Sequence, residues 1–258
     1  MAKVLVITGM HRSGTSMVAH YLQGCGVDIG THLHPGDVGN PRGYYEDIEF
    51  LNFHQDLLAF LRVSIFPTTD RELRQAIPDQ FRSRAQEILR RKGGAPVWGW
   101  KECRTTLFLD FWKEMIPDMN VLFLLRHPVS VVDSLLRRGT DQNVLRRPSI
   151  AFQSWRLHNE LILDFYRRNP SSCFLIDVNC LVQDAALAVS ALFSKLSIEL
   201  PVRDFDAVYA PGAFREHRSA RDIYLIVRFP LETMRCLTLY RAMREQADSP
   251  STGVFSPN

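Results

Sequence analysis

Val4-Leu5-Val6-Ile7-Thr8-Gly9-Met10-His11-Arg12-Ser13-Gly14-Thr15-Ser16 is the stretch that decides the fold. Val4 to Ile7 are all apolar, the pattern of a strand buried on both faces of a parallel sheet. Glycines then bracket a short polar turn, and a helix is expected from Gly14 to about Gly24. A tight turn between a buried strand and a helix is the context in which a phosphate loop has meaning. The N–H groups from Ser13 to Ser16 would converge on one anion at a helix N-terminus. The spacing matches G-x-x-x-x-G-K-[ST] except that Thr15 stands where that pattern has its lysine. Threonine has neither the reach nor the charge to contact β/γ-phosphates. The cation has moved back to Arg12.

Outward from this stretch, apolar runs recur at Pro96–Trp100, Val121–Leu125 and Cys173–Val178, each followed by a helical pattern. That alternation predicts an α/β protein with a central parallel sheet between layers of helices. An insertion over about residues 27–95 separates the first two strands, too long for one crossover helix. Within it, Thr31 to Gly43 reads as a loop rich in Gly, Pro and His. Glu46 to Arg62 reads as a helix, and Arg71 to Arg91 carries apolar residues at Leu73, Ile77, Phe81, Ala85, Ile88 and Leu89. Helices are expected near Ile150–Arg168, Ala185–Leu196 and Arg221–Ala247. We read residues 1–247 as a single domain and 248–258 as a frayed tail.

The chain has 258 residues, 46% hydrophobic and 23% charged, which excludes a disordered or collagen-like class. A net charge of +3 is too weak to imply nucleic acid. Only Lys3, Lys92, Lys101, Lys113 and Lys195 stand among 31 basic residues, so arginine, the better partner of phosphate, dominates. The odd number of cysteines, without a zinc-type or C-x-x-C spacing, points to a reduced compartment and to no metal. No apolar run approaches a membrane span, and no signal peptide opens the chain. A cytoplasmic location is expected.

With the strand and loop quoted above, the sequence resembles sulfotransferases that use 3′-phosphoadenosine 5′-phosphosulfate. Their first signature, (K/R)-S-G-T-(S/T), stands here as Arg12-Ser13-Gly14-Thr15-Ser16. The resemblance implies a three-layer fold like that of P-loop NTPases, with extra helices in the insertion and the C-terminal half. It also implies that this loop cradles the 5′-phosphosulfate, with Arg12 neutralising the bridging oxygen.

The run Val121-Leu122-Phe123-Leu124-Leu125-Arg126-His127-Pro128 ends a strand on a cation and opens a helix at Pro128. Physical chemistry alone would set an anion against Arg126 and the helix N-terminus, with Ser130 the nearest hydroxyl. The family's second signature, R-x-P-x-x-x-x-x-S, instead pairs Arg126 with Ser134 as holders of the 3′-phosphate. In Trp98-Gly99-Trp100-Lys101-Glu102-Cys103-Arg104, the resemblance makes Lys101 the contact of the transferred sulfuryl group. Cys103 stands where cytosolic members carry a basic histidine, so another group must take the acceptor's proton.

Among Asn40-Pro41-Arg42-Gly43-Tyr44-Tyr45-Glu46-Asp47, Glu46 is the first candidate, as relatives acting on tyrosine or carbohydrate take a glutamate from this region. Glu49 is second, and His11, His32, His34 and Glu102 stay open. A carboxylate in a first helical turn has an ordinary role as a dipole partner. Trp98 and Trp100 could flank a nucleotide, although aromatic residues on a buried strand more often belong to the core. Arg137, Arg138, Arg146 and Arg147 form a basic cluster that either faces an anion or is solvated. Arg215-Glu216-His217-Arg218 lies where cytosolic members carry R-K-G, but the motif itself is absent.

These readings imply a sulfotransferase passing a sulfuryl group in line to a hydroxyl or amine on a small-molecule or carbohydrate acceptor, with no metal. A phosphate-loop small-molecule kinase and a donor-nucleotide-binding protein without turnover are the alternatives. Neither the acceptor nor the oligomeric state is named by any motif.

Overall fold

The computed structural model describes residues 2–37, 40, 43–205 and 220–248. The strands β1 (Lys3–Gly9), β2 (Val97–Lys101), β3 (Asn120–Leu125) and β4 (Cys173–Asp177) pair in parallel, in the order β2-β1-β3-β4. Side chains alternate across such a sheet. Val4 and Val6 accordingly pack into one core while Leu5 and Ile7 pack into the other. Both faces are therefore covered, which is why these strands read as continuous apolar runs. At Gly99 the neighbouring strand comes so close that a Cβ would lie 1.9 Å from the Leu5 carbonyl oxygen. Only glycine fits there.

One layer contains α1 (Thr15–Gly24), α8 (Val178–Gln183) and α9 (Ala185–Lys195). The opposite layer contains α2 (Ile48–Leu61), α3 (Asp79–Arg90), α4 (Leu109–Met115), α5 (Pro128–Arg138), α6 (Gln142–Arg146), α7 (Ser149–Arg168), α10 (Ala220–Arg228) and α11 (Pro230–Gln246). Trp100 of β2 stacks on Phe50 at 4.1 Å between centroids and meets Trp112 of α4, tying the insertion to the sheet. Trp98 and Trp100 are thus core residues, and neither flanks the cleft described below.

Several expected boundaries move, each for a local reason. Helix α2 begins at Ile48 rather than Glu46, because the Asp47 carboxylate caps it by accepting from Glu49 N at 2.9 Å. Glu46 therefore precedes the helix. The pattern over Arg71–Arg91 divides at Pro78 into a 3₁₀ turn (Asp70–Leu73) and α3. The expected helix Arg221–Ala247 divides at Phe229-Pro230 into α10 and α11, as a proline inside a helix removes a backbone donor. Asp248 was expected to begin a frayed tail. Instead it is tied to β4, donating its N–H to Leu175 O and accepting from Leu175 N, both at 2.8 Å. Among the described residues no helix is long and apolar enough to cross a membrane.

Candidate active site

The parallel register sets the ends of three strands side by side: Ile7 is opposite Lys101, and Gly9 opposite Leu124. The β1–α1 loop, Lys101 and Arg126 consequently share one edge of the sheet. Gly9 packs so tightly that a Cβ would lie 2.5 Å from the Leu124 carbonyl oxygen, and Gly14 is left-handed at φ 88°. Arg12 takes a left-handed φ of 69° too, a conformation that disfavours side chains but swings the loop around a turn closed by Ser13 N donating to Met10 O. Helix α1 starts without a side-chain cap and without an acidic residue in its first turn. Its leading N–H groups and positive dipole end are left to face the cleft. The Ser13 hydroxyl is buried in the loop with no hydrogen-bond partner, and Ser13 is not among the residues that line the cleft.

Three groups expected at two separate sites meet beside this loop. Arg126, at the end of β3, donates from Nη1 to the Arg12 carbonyl at 2.8 Å. Arg12 Nε donates in turn to Ser134 Oγ on α5 at 3.0 Å. The Arg12 guanidinium thus leans toward the Arg126–Ser134 pair and bridges the two expected anion positions. Burial, then the charges of Arg12 and Arg137, pushes the Arg126 pKa down to about 10. Crowded, desolvated arginines are a setting that an anion relieves.

Lys101 is 2% exposed and reaches the same cleft. Its Nζ donates to Glu46 Oε1 at 2.6 Å, to the Tyr44 carbonyl at 3.1 Å and to Ser16 Oγ at 3.2 Å. Burial alone would lower its pKa, but the charges of Glu46, Cys103 and Glu102 more than offset that, and the pKa rises. Tyr45 holds a left-handed φ of 55° and stacks on His20, so the carbonyl before it and the carboxylate after it both turn onto Lys101. The Tyr44 hydroxyl donates to Asp37 Oδ1 and accepts from Arg138 Nη2, closing the far wall. The resulting cleft holds about 370 Å³.

Residues 5–202 match the sequence profile of the Sulfotransferase family. The chain belongs to the sulfotransferase family. Solved structures share its fold. The sulfotransferase domain of the Synechococcus PCC 7002 olefin synthase aligns at TM-score 0.57 and 17% identity, covering 95% of this chain and 96% of that one. A sulfotransferase from Mycobacterium avium aligns at TM-score 0.55 and 12% identity, over 96% of this chain and 78% of that one. One from Alicyclobacillus acidocaldarius aligns at TM-score 0.51 and 15% identity, over 95% and 99%. No curated protein matches.

The cleft of this sulfotransferase gathers Arg12, Gly14, Thr15, Ser16, Glu46, Lys101 and Arg126. Cys103 lines it as well, its Sγ 3.4 Å from Thr15 Oγ1, with burial pushing the thiol pKa up. Two candidate carboxylate bases are elsewhere. Glu49 points to the outer surface and pairs with Arg91 at 2.6 Å and Lys92 at 2.8 Å, because α2 starts after Glu46 and turns this side chain away. Glu102 is fully buried behind Lys101, paired with Arg104 and 3.1 Å from His54 Nδ1. Burial pushes its pKa up to about 7.

His32 is exposed and hydrogen-bonds to Thr31, whereas His34 lines the cleft against Tyr44. Of the four-arginine cluster only Arg138 lines it; Arg137 pairs with Asp133, and Arg146 and Arg147 border another cavity. Arg215-Glu216-His217-Arg218 lies outside the described residues. Sequence reasoning missed Tyr44, Gln55 and Arg104 as lining residues. The Tyr44-Tyr45 pair inside a Gly- and Pro-rich loop was the available signal for the first, and Gln55 and Arg104 carry none.

Proposed function

We propose that this sulfotransferase takes its sulfuryl group from 3′-phosphoadenosine 5′-phosphosulfate and passes it to an acceptor hydroxyl or amine. The observation that carries the reading is the convergence on one cleft of an uncapped helix N-terminus, Arg12, Arg126 and Lys101, with Ser134 behind Arg12 and bonded to it. The unpartnered Ser13 hydroxyl and the crowded arginines fit an anionic ligand, and Thr15 in place of the lysine of an ATP-binding loop argues against ATP. When bound, this donor supplies an activated sulfuryl group on a phosphate leaving group.

In this reading the N–H groups and hydroxyls of Ser13, Gly14, Thr15 and Ser16 hold the 5′ end, while Arg126 and Ser134 hold the 3′-phosphate. Arg12 neutralises charge that grows on the leaving oxygen, and such pre-aimed donors act most strongly in a water-poor cleft. Lys101 exchanges Glu46 for the sulfuryl oxygens. That exchange frees the Glu46 carboxylate to take the proton of the attacking hydroxyl as the new S–O bond forms and the S–O bond to phosphate breaks. The insertion supplies His34, Tyr44, Glu46, Leu51 and Gln55 to one wall, and we assign that wall to the acceptor. With Arg12, Arg126 and Lys101 supplying the cations, this reading needs no metal.

Calorimetric titration with adenosine 3′,5′-bisphosphate, AMP and ATP tests the donor site. The bisphosphate should bind far more tightly than the other two. Sulfuryl transfer from the labelled donor should then persist in EDTA. Tighter binding of ATP, with transfer dependent on magnesium, overturns the reading.

A further inference from the structure

Behind the phosphate loop lies a chain of buried polar groups that the proposed transfer leaves unused. His158 on α7 is fully buried, and its Nδ1 meets Oγ1 of Thr106. The Thr106 hydroxyl gives its one proton to the Cys103 carbonyl at 2.9 Å. Its oxygen can therefore only accept from the imidazole, which fixes His158 with a proton on Nδ1 and a lone pair on Nε2. Burial, and then the charge of Arg104, keeps this ring neutral by lowering its pKa to about 3.

The Nε2 lone pair of His158 is buried without a partner. The imidazole of His11, in the phosphate loop, meets that ring edge to face at 6.3 Å between centroids, and its own Nε2 is also buried without a partner. A proton on His11 Nε2, shared with the His158 lone pair, would answer both orphaned atoms. Two facing lone pairs would leave both unanswered in a dry interior. At that separation the two Nε2 atoms are not hydrogen-bonded, and the bond forms when the His11 side chain moves toward His158; bonds of this kind are often long before substrate arrives. Phe66 packs on the other side of His11 at 5.4 Å and limits its rotation. His11 lines the cleft, so the nitrogen that is not turned inward, Nδ1, faces it.

We propose that His11 is a substrate-binding residue, held as the Nε2–H tautomer by His158 and Thr106, whose Nδ1 lone pair takes a hydrogen bond from an O–H or N–H of the acceptor. His158 and Thr106 are its positioning residues. The proposal rests on sulfuryl transfer in this cleft, and it restricts the acceptor class. With Glu46 taking the hydrogen of the attacking group, His11 requires a second donor at or beside the reacting atom, as in an amine, a hydroxyl next to another hydroxyl, or water. Burial and the charge of Arg104 keep His11 neutral, so its lone pair is available.

Imidazole nitrogen NMR on the whole protein reads the tautomers directly. His11 should be neutral with its proton on Nε2 and His158 neutral with its proton on Nδ1; Thr106→Val should disturb both rings. A His11 proton on Nδ1 overturns the proposal, as does a His11 tautomer indifferent to Thr106→Val in a folded variant.

Slow hydrolysis of the donor, with water as acceptor and adenosine 3′,5′-bisphosphate release as readout, supplies the functional arm. His11→Phe should lower that rate by about tenfold while bisphosphate affinity stays within about twofold. His11→Asn, which offers an amide oxygen near the Nδ1 position, should recover part of the rate. Unchanged hydrolysis in His11→Phe overturns the proposal. Failure of the unmutated protein to bind the bisphosphate instead defeats the donor reading, which the tautomer measurement does not depend on.

Discussion

Replacing Glu46 by glutamine should make this sulfotransferase bind its proposed donor, 3′-phosphoadenosine 5′-phosphosulfate, more tightly while turning over more slowly. Glu46 is 7% exposed and Lys101 2%, and their charged atoms are 2.6 Å apart. At an effective dielectric of 20 a pair at 4 Å is worth about 4 kcal/mol, and removing one member of a buried pair costs about 3–5 kcal/mol. Glutamine keeps an oxygen for Lys101 Nζ, so the loss of stability should be near the lower end, about 3 kcal/mol. In a chain of this size that corresponds to a fall in Tm of about 6–12 °C. The raised pKa of Lys101 sets the pH window. The stabilisation is present below the ordinary lysine value of 10.5 and is lost as pH rises through the higher folded value, so the two proteins should converge only above it.

In the ligand-free protein Lys101 is held by Glu46. In Glu46→Gln that competitor is neutral, and the sulfuryl-bearing donor 3′-phosphoadenosine 5′-phosphosulfate, whose sulfuryl oxygens Lys101 would meet, should gain about 1.4 kcal/mol or more, a tenfold rise in affinity. Turnover should fall by about 10²-fold or more, since an amide cannot take a proton. Calorimetry, thermal melting and a transfer assay on the same preparation separate the three effects. Wild-type turnover in the variant would refute the assignment of the base. Unchanged affinity for 3′-phosphoadenosine 5′-phosphosulfate with an unchanged Tm would refute the partner exchange of Lys101.

Arg126→Ala should reduce the preference for adenosine 3′,5′-bisphosphate over AMP by about tenfold or more, because charge-assisted hydrogen bonds contribute about 1.5–3 kcal/mol; an equal loss for both nucleotides in calorimetry would show that Arg126 acts only through the Arg12 carbonyl. Stability should fall as pH drops from about 7 toward 4.5. His54 and His158, lowered from 6.5 to about 3 by burial, refuse protons that the unfolded chain accepts, while Glu102, raised by burial from 4.5 to about 7, takes up one and partly compensates. From these three groups the net slope is about 1.4 kcal/mol per pH unit, and His11, whose pKa burial also lowers, steepens it; Glu102→Gln should steepen it further in urea titrations, and a flat profile would contradict the burial of the histidines. Gly99→Ala should destabilise by about 3 kcal/mol, read as a lowered urea midpoint, because its Cβ has no room beside the Leu5 carbonyl.

The parallel sheet and the phosphate loop were legible in the sequence because each is a local pattern. A strand buried on both faces has to be apolar throughout, and a turn that brings backbone onto an anion needs Gly9 and Gly14 where they stand. Arg126 and Ser134 hang from one strand-to-helix turn, so their spacing is a local pattern as well. Helix ends were less legible. Pro78 and Pro230 divided stretches whose apolar spacing is continuous, and the Asp47 cap excluded Glu46 from α2.

Only tertiary structure decided which polar groups meet. Glu46 and Lys101 are 55 positions apart, Arg12 and Ser134 122, and Thr106 and His158 52. Glu46 and Glu49 are equally acidic and nearly adjacent, yet one reaches the cleft and the other the outer surface. Their difference comes from the left-handed turn at Tyr45 and the direction in which α2 leaves Asp47. No periodicity in the chain encodes that direction, because it is set by the packing of α2 against β2 through Phe50 and Trp100.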